Sequence, residues 1–96
     1  MSVDTVNYAL TNVRLRILRY PEHYSPEGQR KLLAMCDVMR SYLMEEDVAS
    51  FNGYINCCLA TEPDATDFLL EELYGEVGLD CQTAVREDLD AALAAA

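Results

Sequence analysis

The sequence predicts an all-α fold, a small bundle of about five short helices. Three observations support this class. Apolar residues recur at steps of three and four along most of the chain, capping residues precede several of these segments, and no segment gives a convincing strand pattern. The 96 residues, 51% of them hydrophobic, suit a single core, so we expect one helical domain over residues 1–96.

The first helix is predicted to run from about Asp4 to Tyr20. Its apolar seam has the spacing of one helix face and comprises Val6, Leu10, Val13, Ile17 and Tyr20. Residues 13–17 also alternate as a strand would, but the helical match is the longer one. Pro21 ends the element, and Glu22–Tyr24 is read as a short connection.

The start of the second helix has the clearest signal in the chain. Ser25 can cap the free amides of a first turn, Pro26 fits the first helical position, and Glu27 is favoured at the positive end of the helix dipole. The predicted seam comprises Leu32, Cys36, Met39 and Leu43, widened by Leu33, Met35 and Tyr42.

The third helix is predicted over Val48–Ala60, with Asp47 as its cap. The acidic run Glu45–Asp47 fits the start of this helix better than the end of the second, because carboxylates are disfavoured at the negative end of a helix dipole. The predicted buried face comprises Val48, Phe51, Ile55 and Cys58 or Leu59.

The last two helices are predicted on either side of a glycine stop. Pro63 breaks the chain, the fourth helix runs from Ala65 to about Gly75, and Gly78 ends it. Asp80 is the expected cap of a fifth helix. The apolar stripe of that helix comprises Cys81, Val85, Leu89, Ala92 and Leu93.

No residue pattern points to catalysis, so we expect neither an enzyme nor a cofactor. The lone His23 follows a proline break and has no nucleophile motif beside it, which is typical of a surface-loop histidine. The ligand spacings of zinc and calcium sites are missing, so no metal site is expected. Glycines are scattered, so the sequence offers no phosphate-binding loop.

The cysteines and the termini indicate a reducing compartment. Cys36, Cys57, Cys58 and Cys81 each fall at or beside an apolar helical position, and we expect them to be buried, reduced thiols. No apolar run approaches the length of a membrane span, and the first residues lack the basic start and apolar stretch of a secretory signal. A cytoplasmic protein is therefore expected.

The distribution of charge carries the functional prediction. The formal net charge is −10. Residues 1–31 hold five Lys and Arg against three Asp and Glu, whereas residues 32–96 hold two against fourteen. The acidic surface is expected mainly from residues 37–90 and the basic residues lie mainly in 14–31. This excess is read either as a means of solubility or as a surface complementary to a basic partner.

The fourth predicted helix provides the candidate partner-binding residues. An apolar face of Ala65, Leu69, Leu70, Leu73 and Val77 opposes a face rich in carboxylates. Phe68 lies among these carboxylates, so it is either covered by a neighbouring helix or an exposed anchor inside an acidic rim. The candidate residues are Asp64, Asp67, Phe68, Glu71, Glu72 and Glu76.

Three functions remain as alternatives. The favoured one is an inhibitor that covers a basic groove of a nucleic-acid-processing protein by mimicking DNA or RNA charge, and in size and charge alone the chain resembles phage anti-defence and anti-CRISPR-like proteins. The second is a homo-oligomeric adaptor or structural module, such as a homodimer. The third is a small regulator that contacts nucleic acid through a basic patch of Arg14, Arg16, Arg19, Arg30 and Lys31, although direct nucleic-acid binding is not expected of so acidic a chain.

Overall fold

The structure, a computed structural model, describes residues 3–77. The described helices are α1 (Val3–Arg19), a 3₁₀ turn (Pro21–His23), α2 (Pro26–Met44), α3 (Val48–Thr61) and α4 (Pro63–Val77). The predicted all-α class is confirmed, with four α-helices in this range. The glycine stop at Gly78 and the predicted fifth helix from Asp80 lie outside the described residues.

The four helices form a ring in which α1 packs on α2 and α4, and α3 packs on the same two helices. Contacts between side chains fix the directions. Arg16 of α1 reaches both Glu72 and Glu76 of α4, and Asn12, one turn earlier in α1, also reaches Glu76. Earlier residues of α1 therefore lie next to later residues of α4, so the two helices run antiparallel.

The core is built from the helical seams that the sequence predicts. Leu10, Cys36 and Leu73 are fully buried, and Phe51 and Leu69 are almost so. Val6, Val13, Ile17, Met39, Leu43 and Ile55 are buried with them, and Leu33, Tyr42, Ala65 and Leu70 pack against this core while partly exposed. Burial of these side chains is the main stabilising contribution to the bundle.

Two predicted caps are confirmed. The Ser25 hydroxyl accepts a hydrogen bond from the Gly28 amide at 3.0 Å, and the Asp47 carboxylate accepts one from the Ser50 amide at 3.1 Å. Hydrogen bonding by the Ser50 side chain, together with this amide bond, favours the ionised carboxylate and lowers the pKa of Asp47. Gln29 adds a tertiary link, because its side-chain amide donates to the carbonyl of Ile17 near the end of α1.

The turn between α2 and α3 differs from the prediction. Glu45 is the C-terminal capping residue of α2, directly after Met44, and Glu46 adopts a left-handed conformation with a φ of 56°. Only Asp47 belongs to the start of α3. The dipole argument was wrong for the two glutamates because they are exposed, where water screens such interactions.

Other details also correct the sequence-based plan. Tyr20 lies beyond the end of α1 and is 47% exposed, and Leu59 faces solvent, whereas Cys58 is buried. The fourth helix begins at Pro63 rather than Ala65, because a proline at the first helical position lacks an amide that needs a partner. None of the helices in residues 3–77 is both long and apolar enough to cross a membrane.

Candidate protein-binding site

The outer edge of α4 carries three carboxylates that we call the acidic ridge: Asp64, Asp67 and Glu71. All three are exposed, and none forms a salt bridge with another described residue. They lie on one side of the helix because they are separated by three and four residues. The ridge is therefore a line of negative charge roughly 10 Å long.

Glu72 and Glu76 lie on the edge of α4 that faces α1, where both form salt bridges with Arg16. The Arg16 guanidinium donates to Glu72 at 3.0 Å and also to Glu76, whose other oxygen accepts from the Asn12 amide at 3.0 Å. These hydrogen bonds raise the pKa of Arg16 and lower the pKa of Glu76. Two of the six candidate residues are thus engaged within the molecule.

Phe68 has an environment between the two that the sequence suggested. It is partly buried and packs against the core, and its ring meets the ring of Tyr24 edge to face, with centroids 5.9 Å apart and planes at 79°. Phe68 therefore joins α4 to the segment after the 3₁₀ turn. Phe68 as a residue remains partly exposed, and it lies beside the acidic ridge.

The predicted basic patch is divided among separate ion pairs. Arg14 pairs with Asp37 at 2.7 Å and Lys31 pairs with Glu62 at 3.1 Å, while Arg16 bridges to α4. The other two members, Arg19 and Arg30, are exposed and make no salt bridge within residues 3–77. Three of these cations pair with carboxylates on neighbouring elements, so the geometry does not favour a nucleic-acid contact through the basic patch.

Comparison with known proteins adds no relative. No protein-family model, curated protein or solved structure matches this sequence. The candidate site is therefore defined by its side chains, their burial and their charges.

A cleft that was not predicted from the sequence lies between α1, the 3₁₀ turn and the edge of α4 that carries Glu72. Its volume is about 250 Å³, and it is lined by Val13, Arg16, Ile17, Tyr20, His23, Tyr24 and Glu72. The rings of Tyr20 and His23 are stacked, with centroids 5.5 Å apart and planes within 13°. Burial and the nearby Glu72 carboxylate raise the pKa of Tyr24. In the sequence, the feature that could have indicated this cleft is the group of three aromatic residues within five positions around Pro21.

The outer face of α1 carries three large apolar side chains that no other described helix covers. Tyr8 is 73% exposed, and Leu15 and Leu18, seven and ten residues further on, are exposed as well. This spacing places the three side chains on one side of the helix, opposite the seam that enters the core. The face is a second surface suited to contact with a protein.

The thiols are not uniformly buried. Cys36 and Cys58 are buried and Cys57 is exposed, so the expectation was wrong for Cys57, and Cys81 lies outside the described residues. Burial raises the pKa of Cys36 to about 11, which makes this thiol a poor nucleophile at neutral pH. In the part of the chain that the structure describes, no three His, Cys, Asp or Glu residues are grouped to hold a metal ion.

Proposed function

We propose that the protein is a non-enzymatic binding protein whose acidic ridge occupies a basic groove of a nucleic-acid-processing protein and inhibits it. The observation that carries this proposal is the contrast along α4. Arg16 forms salt bridges with both inner carboxylates, whereas Asp67 and Glu71 on the outer edge form none within residues 3–77. Carboxylates that repel one another on a helix lower the stability of the folded chain. A role in binding would explain this unfavourable arrangement.

The spacing of the ridge suits a groove that binds nucleic acid. Three charges over roughly 10 Å give about one charge per 5 Å, against about one phosphate per 3.4 Å along a single DNA strand. A groove built to neutralise phosphates would meet a similar line of charge on α4. Proteins with which phages oppose host defence systems would use such a surface, and we propose this role for the chain.

Affinity capture from a host lysate over a salt series tests the proposal. We expect nucleic-acid-binding proteins to be retained at about 0.05 M NaCl and lost at about 0.5 M, because salt screens charges that are exposed at the edge of an interface. Retention of the same proteins at both salt concentrations would contradict an electrostatic mechanism.

The uncovered face of α1 favours a second candidate function, a homo-oligomeric module. In an antiparallel pair of α1 helices, the register that places Tyr8 opposite Leu15 of a second copy also places Asp4 opposite Arg19. Both Asp4 and Arg19 are exposed and without a salt bridge among the described residues. Apolar and charged side chains would then both be matched.

Sedimentation distinguishes this second function from the first. A dimer at micromolar concentration that Leu15→Glu converts to a monomer would support it. A wild-type monomer at the same concentration would remove it.

A further inference from the structure

We infer that the cleft between α1, the 3₁₀ turn and α4 receives an arginine side chain of a protein partner. The inference rests on the proposed function for the source of that arginine, because it assumes a basic partner. The cleft itself is a separate feature from the acidic ridge, and its chemistry can be tested without the partner.

The charge of the cleft selects a cation. Among the described residues of the lining, Arg16 is the one cation and Glu72 the one carboxylate, and Arg16 also bonds to Glu76, which lies outside the lining. The three groups together carry a formal charge of about −1, and they lie beside the acidic ridge. Because Arg16 is shared between two carboxylates, the remaining negative charge favours a cation beside Glu72 over a phosphate or carboxylate ligand.

The shape of the cleft selects a planar cation. Val13 and Ile17 are buried side chains that give it an apolar floor, and the stacked rings of Tyr20 and His23 give it a flat aromatic wall. A guanidinium group can lie against such a ring and donate to a carboxylate at its edge. A lysine ammonium, a compact and strongly hydrated charge, gains less from a flat wall.

The size and position of the cleft fit a single side chain of a larger partner. Its volume of about 250 Å³ is below the range of roughly 300–1,000 Å³ typical of sites for whole small molecules. Tyr24 belongs to the cleft and also contacts Phe68, one turn from Asp64 on α4. A basic segment that lies along the acidic ridge therefore passes next to the cleft.

An NMR titration of the full chain tests the inference with N-acetyl-arginine amide as the probe, and with the lysine and citrulline amides as comparisons. We expect chemical-shift changes at Tyr20, His23 and Ile17. Binding of the lysine probe should be roughly fivefold weaker, and the neutral citrulline probe should bind more weakly still. Tyr20→Ala should weaken arginine binding by roughly fivefold, while Tyr8→Ala, which removes an exposed tyrosine that does not line the cleft, should not.

Equal shifts with arginine and lysine, or shifts confined to Asp67 and Glu71, would overturn the inference. Thermal melting of Tyr20→Ala should show that the variant remains folded, because Tyr20 is half exposed. The variant Asp67→Lys/Glu71→Lys separates this result from the proposed function. If it still binds arginine in the cleft but captures the protein partner unchanged, the proposed function fails and the inference remains.

Discussion

The two edges of α4 carry the same kind of side chain in different surroundings. Glu72 and Glu76 face α1 and share Arg16, whereas Asp67 and Glu71 face solvent. The inner pair contributes to docking of two helices, and the outer pair adds only repulsion to the folded chain. The comparison shows that a net charge of −10 does not describe what a partner meets, because the cations pair with some carboxylates and leave others without a salt bridge among the described residues.

The largest change in the free energy of unfolding is expected from a cavity in the core beneath α4. Leu73 is fully buried in α4, and Leu73→Ala should lower the free energy of unfolding by about 2–5 kcal/mol. Leu15→Ala is the matched control, because Leu15 is exposed on α1, and it should cost less than about 1 kcal/mol. Urea denaturation measures both, and equal losses would mean that α4 does not pack as described.

Phe68 sharpens the comparison because it lies between the two edges. Phe68→Ala should lower the free energy of unfolding by about 1–2 kcal/mol, because it removes the edge-to-face contact with Tyr24 and the packing of Phe68 on the core. The loss should be smaller than for a fully buried ring, because only part of Phe68 is buried. Phe68→Leu should recover part of that loss. If thermal stability is unchanged while partner affinity falls by about 2 kcal/mol, Phe68 is an anchor for binding rather than a packing residue.

The inner edge predicts a dependence of stability on pH. The pKa of Glu76 is lowered in the folded protein by the hydrogen bonds from Arg16 and Asn12, so its stabilising contribution is complete above its usual value of 4.5. That contribution is lost as the pH falls through the lowered value. Glu76→Gln should therefore cost less than about 1 kcal/mol at pH 7 and show a smaller loss of stability on acidification.

A denaturation series from pH 7 to about pH 3 measures this effect. Glu71→Gln on the outer edge is the control, since Glu71 has no salt bridge within residues 3–77. Identical pH profiles for the two variants would contradict the distinction between the edges.

Most of the fold could be predicted because its signals are local. The seam through Leu10 and Ile17 and the cap at Ser25 depend on spacing and on one side chain, and the structure shows them as the sequence indicates. Tyr20 fits the same seam by spacing, but the helix ends at Arg19 and the tyrosine stacks on His23 instead. The apolar spacing of a sequence can continue past the residue at which the helical backbone ends.

The candidate site could be predicted only in part. Spacing alone placed Asp64, Asp67 and Glu71 on one face of a helix, and they lie there exposed. It could not separate Glu71 from Glu72, because their difference depends on where α1 brings Arg16. The aromatic cleft has the same origin, since its walls come from segments joined by tertiary packing.

The rate of association with a captured basic protein tests the central claim most directly. Asp67→Lys/Glu71→Lys should slow association by roughly tenfold at low salt, because steering by the ridge is lost. Glu27→Lys/Glu45→Lys changes the net charge equally at exposed positions at the two ends of α2 and should slow it far less. Equal rates for the two variants would show that only net charge matters and would contradict the ridge as the binding surface.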